Sequence, residues 1–98
     1  MSRVIWKYPL TSPEVLLEVP HAGFMEPGII RAVAWQHGNP TLWIEVDPDK
    51  EPKPRRFNVV ATGERFDPGD ATYIGSATGD RLVFHVYELR SGEQGSGE

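Results

Sequence analysis

No cysteine occurs among the 98 residues, which excludes a disulfide framework, a thiolate zinc site and a cysteine nucleophile. In so short a chain this favours a reducing, intracellular setting. Long apolar runs are also missing. The opening MSRVIWKYPL holds too short an apolar stretch for a secretory signal, and nothing approaches the roughly 18 consecutive apolar residues of a membrane span. A soluble, cytoplasmic protein without membrane contact is expected. No window sustains a 3.6-residue period, so helices are not expected either. Net charge is −4, and Glu93 and Glu98 in the closing SGEQGSGE supply two of those four charges. The body is therefore nearly neutral and lacks the broad basic footprint of a duplex-binding protein.

The usual chemical constellations are missing too. His21, His37 and His85 stand far apart and form neither H-x-H nor H-E-x-x-H, so no metal ligand set is expected. Asp47-Pro-Asp-Lys-Glu51 resembles the start of a calcium loop, but Pro52 occupies the glycine position and Asn58 the position of the bidentate glutamate. It reads as a solvated acidic turn. None of the serines at 2, 12, 76, 91 and 96 lies in a G-x-S-x-G elbow, and no phosphate-cradling G-x-x-x-x-G-K or G-x-G-x-x-G occurs. Neither catalysis nor a cofactor is expected.

What the chain does have is β-strand patterning with clear punctuation. Seven runs, at 3–8, 14–19, 29–37, 41–46, 55–62, 72–77 and 81–89, are rich in β-branched and aromatic residues, and most of the nine prolines and ten glycines fall between them. A chain of this length forms one domain and buries roughly two-thirds of its unfolded surface. We therefore predict a single all-β domain over 1–90, a compact, mostly antiparallel sandwich or partly open barrel of about seven short strands. The tail over 91–98 has no apolar residue to offset the entropy of ordering and is expected to be disordered.

The most readable stretch is AVAWQHGNPTLWIEVD. With Gly38-Asn39 as a type II′ loop, Trp35 faces Leu42, Val33 faces Ile44 and Arg31 faces Val46 on the core side. Ile30, Ala32, Ala34 and Gln36 then share the other side with Thr41, Trp43 and Glu45. Trp43 is accordingly either covered by another element, such as the loop over 20–28, or presented outward as a stacking or interface platform. In the last run Leu82, Phe84 and Val86 alternate with Val83, His85 and Tyr87. Both sides are mostly apolar, as in a central strand covered twice or one exposed at a subunit contact. His85 there reads first as a hydrogen-bonded structural residue and second as a ligand contact.

One constellation could hold an anion. Arg55 and Arg56 beside Phe57, with Lys53 nearby and Trp43, His85 and Tyr87 within reach, combine forked donors with stacking faces suited to an anionic nucleotide. The simpler alternative leaves the arginines in water, pairs them with Glu45 or Asp47, or uses them to protect a strand edge.

HGNPTLWIEVDPD, PRRFNVVATGERF, YIGS and LVFHVYEL, lying between Val4 and Leu89, resemble a family of small domains of unknown function encoded by bacteriophages and prophage-bearing bacteria. The shared order is a valine-proline turn, H-G-x-P, L-W, R-R-F, T-G and V-F-H-V-[YF]-E. The segment PHAGFMEP is longer than the short P-x-G turn of that family. The resemblance brings no activity, but it implies a non-enzymatic, phage-type binding protein. On that reading it is a counter-defence factor that sequesters an anionic nucleotide signal or blocks a host defence protein, with a homo-oligomer forming the pocket. The alternative is a structural or accessory protein–protein interaction module.

Overall fold

The computed structural model describes residues 2–90, so the expectation for 91–98 lies outside the described residues. Seven strands form: β1 Val4–Pro9, β2 Glu14–Pro20, β3 Ile29–Gln36, β4 Asn39–Val46, β5 Pro52–Ala61, β6 Thr72–Thr78 and β7 Val83–Glu88. All pairings are antiparallel, in a three-stranded sheet β1-β4-β3 and a four-stranded sheet β2-β5-β7-β6. The sheets pack as a sandwich and do not close into a barrel. Each predicted run corresponds to one strand. The largest difference is at the start of β5, where Pro52 and Pro54 lie inside the strand. The ladder bonds of even-numbered β5 residues point towards β7, as the bond from Leu89 N to Arg56 O shows. β7 pairs with β5 only from Phe57 onward, so these prolines lack N–H groups where no acceptor waits.

One core joins the sheets. Leu42, Ile44 and Val46 of β4 meet Val19, Phe57 and Val86 of the other sheet, all without solvent exposure, with Leu10 between strands. Burial of each such side chain stabilises by about 1.5–3 kcal/mol. Beyond this centre the sheets approach where β6 passes β3. A side chain on Gly75 would sit 3.0 Å from Val33 Cγ2, so that contact depends on glycine. Trp35 stacks on Phe84 there, with centroids 5.3 Å apart at 12°.

The β3–β4 hairpin corrects the expected turn. Its loop is His37-Gly38, with φ of 51° and 85°, and Gln36 pairs with Asn39. Two positive φ angles define a type I′ turn, whose twist matches the flanking strands. Trp35 therefore faces Pro40, and Val33 faces Leu42. The shift moves each partner by two residues, so the faces are unchanged. Arg31 also departs from its expected place on the core side. A bulge between Ile30 and Ala32 turns Ile30 onto the core side opposite Ile44, and Arg31 goes to the surface, where it binds Glu45 at 2.8 Å. An extra residue in the strand avoids burying a charge. Arg3 also donates to Glu45, at 3.0 Å, and these bonds from Arg3 and then Arg31 hold the Glu45 carboxyl below its ordinary range.

The acidic turn after β4 is not wholly solvated. Asp47 is buried, and its Oδ1 accepts the Asp49 N–H at 3.0 Å. Its own N–H donates to His21 O at 2.9 Å, tying the loop over 20–28 to the end of β4.

Candidate binding face

The outer surface of the four-stranded sheet carries a connected grouping of polar and aromatic side chains. Strand alternation places Arg56, Asn58 and Val60 of β5 there, with Val83, His85 and Tyr87 of β7. Asn58, Tyr87 and Tyr73 are in register across three strands, as are Val60, His85 and Ser76. Tyr73 and Ser76 are three residues apart and would face opposite sides in a regular strand. A bulge between Tyr73 and Gly75 returns both to the same side.

That geometry assembles a hydrogen-bonded chain. Tyr73 Oη lies 2.5 Å from Ser76 Oγ, and Ser76 Oγ lies 2.7 Å from His85 Nδ1. His85 Nε2 lies 2.8 Å from Thr62 Oγ1, which donates onward to Val83 O at 3.0 Å. The last bond fixes the direction of the rest. Thr62 spends its proton on Val83, so its oxygen accepts from His85 Nε2–H. Nδ1 is then an acceptor for the Ser76 hydroxyl, whose oxygen accepts from Tyr73. His85 is a cross-link between β6, β7 and the end of β5, with both ring nitrogens engaged.

Next to this chain lies an aromatic group. Tyr87 meets Tyr73 edge-on, with centroids 5.5 Å apart, and Phe66 tilted at 5.2 Å. Phe66 comes from the loop between β5 and β6, anchored where Glu64 Oε1 accepts the Ala61 N–H at 3.0 Å. Tyr73 remains 54% exposed and Phe66 46%. Arg56 is exposed on the same face, beside Leu16, its partner on β2. With Glu14, Asn58 and Leu89 these residues line a shallow depression that opens to solvent.

The five residues singled out from the sequence are thereby divided. Arg56, His85 and Tyr87 share this face. Arg55 points into the sandwich, where its Nε and Nη2 grip Glu88 at 2.6 and 2.8 Å and its Nη1 donates to Gly28 O at 2.7 Å. Its partner is Glu88, and neither Glu45 nor Asp47. Trp43 lies on the outer surface of the other sheet, half-buried between its neighbours Lys7 and Ala32. Arg55, Arg56 and Trp43 do not converge on one site within the chain. Tyr73, Ser76, Thr62 and Phe66 were missed by sequence reasoning. The two β6 residues are brought in by a bulge and Phe66 by a loop, neither of which has a periodic signature.

Among the described residues no three histidine or acidic side chains group closely enough to hold a metal ion, and no helix is long and apolar enough to cross a membrane. The fold and this face define a small antiparallel β-sandwich domain with one outer sheet surface left open, its aromatic residues braced by a polar network. The chain belongs to the family described as domain of unknown function DUF7352, whose profile matches residues 1–96. No curated protein and no solved structure matches the chain.

Proposed function

We propose that this domain is a non-enzymatic binding protein that recognises another protein through the outer face of its four-stranded sheet. The observation carrying this reading is the exposed Tyr73–Tyr87–Phe66 group. Aromatic anchors held rigid before contact lose little entropy on binding and dominate protein interfaces. The His85 network supports the same reading, since it holds Tyr73 and Ser76 in place. A nucleotide-sequestering role has less support because Arg55 is already occupied by Glu88 and Gly28. The resemblance to phage-encoded domains favours a setting in the host cytoplasm, with a host defence protein as the partner and blocking as the mode of action. An accessory role in phage assembly would use the same face with a phage partner.

A photo-reactive residue introduced at Tyr73 tests this in infected host cells. Cross-linking to a discrete protein is expected at position 73 and not at the exposed Asp49 turn, with capture abolished by Phe66→Ala. The identity of the captured protein separates the defence partner from the assembly partner. Equal cross-linking at both positions, or none at 73, rejects the face. A rise in melting temperature on adding cyclic or linear nucleotides would instead favour the small-ligand reading.

A further inference from the structure

We propose that two copies of this chain associate by antiparallel pairing of their β1 strands, in the register that sets Trp6 of one copy opposite Trp6 of the other. β1 is an edge strand, and three consecutive large apolar residues on it are exposed: Val4 37%, Ile5 55% and Trp6 42%. Consecutive residues alternate between faces. The strand itself is thus uncovered on both sides, which is the condition under which an edge acts as a template for a further strand.

The remaining edges lack this combination. β3 and β6 pass close to each other and both carry bulges. β2 presents Glu14 and Glu18, and in a two-fold pairing centred on Leu16 these would face each other across the edge. β1 is paired to β4 without a register shift from Val4↔Val46 to Pro9↔Thr41, and Leu10 N continues the same ladder by donating to Pro40 O at 2.8 Å. In such a ladder Val4, Trp6 and Tyr8 turn their peptide groups to β4. Those of Ile5 and Lys7 point to the open edge.

Charge disfavours two of the alternative registers. A two-fold axis at Lys7 sets lysine opposite lysine, and an axis at Ile5 sets Arg3 opposite Lys7; both place like charges across the pair. An axis at Trp6 lets Ile5 and Lys7 of one copy exchange hydrogen bonds with Lys7 and Ile5 of the other. The two indoles then meet as a non-hydrogen-bonded pair, where side chains approach most closely. Pro9 has no N–H and ends the ladder. The product is one continuous six-stranded sheet. A contact of this length lies at the small end of specific interfaces, below about 1,200 Å², so association is reversible on dilution.

Amide exchange on the unmodified protein, combined with native mass spectrometry over a concentration series, tests this. Dimer at high concentration and monomer on dilution are expected. The Ile5 and Lys7 amides should be protected at least about tenfold in the dimer and lose that protection in the monomer, whereas Trp6 and Tyr8 stay protected throughout. Lys7→Pro removes only an outward N–H and should give a folded monomer. Trp6→Cys should form a disulfide between copies in this cysteine-free chain, while Val4→Cys should not. A protein that stays monomeric at millimolar concentration overturns the proposal. So do a dimer with unprotected Ile5 and Lys7 amides, protection that persists in the monomer, a dimer that survives Lys7→Pro, and disulfides formed as readily at Val4 as at Trp6.

Discussion

Arg55 and Arg56 are adjacent in the chain and end on opposite sides of one sheet. Strand alternation guarantees that separation, and Arg55, on the side of Phe57 and Val59, is the one that turns inward and meets Glu88, 33 residues further along. Inside, Arg55 lies 5.8 Å from the Phe57 ring centroid and joins the four-stranded sheet to Gly28, just ahead of β3. It therefore braces the two layers. Arg55→Ala should lower stability by about 2 kcal/mol, under the roughly 3–5 kcal/mol of a fully buried pair because both partners retain some water contact. A urea midpoint that falls with an unchanged m value would show it. Arg56→Ala, on an exposed side chain, should stay within about 0.5 kcal/mol. The residue types in the candidate site were legible in PRRF and VFHVY. Their grouping was not, because it rests on partners far away in sequence.

At the scale of elements, period-2 patterning and the placement of proline and glycine made all seven strands legible. The irregularities within them were not. An extra residue leaves no mark on composition until its partner strand is known, so the bulges at Arg31 and Ile74 were invisible. Yet the first carries Arg31 out to Glu45, and the second brings Tyr73 beside Ser76. The β3–β4 turn offered two glycine-containing solutions, Gly38-Asn39 and His37-Gly38. The protein uses the second despite a non-glycine residue at positive φ. Asn tolerates that conformation better than His, and Asn-Gly is the preferred type I′ pair. His37→Asn should therefore raise stability by about 0.5–1 kcal/mol, measurable as an increase in thermal midpoint.

On the scale of the whole molecule, the two sheets share one core, and the described residues form no second one. Leu42, Ile44 and Val46 have no solvent exposure, and they pack with Val19, Phe57 and Val86 of the opposite layer. Unfolding should thus be a single transition. The three tryptophans, Trp6, Trp35 and Trp43, all lie in the three-stranded sheet, so indole fluorescence reports that sheet and far-ultraviolet circular dichroism reports both. The two curves should coincide; separate midpoints would mean that the sheets unfold independently.

The amino-acid sequence by itself determined strand content, strand boundaries to within a few residues, and membership of DUF7352, because these follow from local alternation, punctuation and motif order. Tertiary structure alone decided how the strands pair into two sheets, which arginine is locked to a carboxylate, and that Tyr73, Ser76, His85 and Thr62 form one chain. Pairing between distant strands and the bulges that re-aim side chains are non-local. They are set by the cost of burying a charge or leaving a core position empty, and only the packed sheets impose that cost.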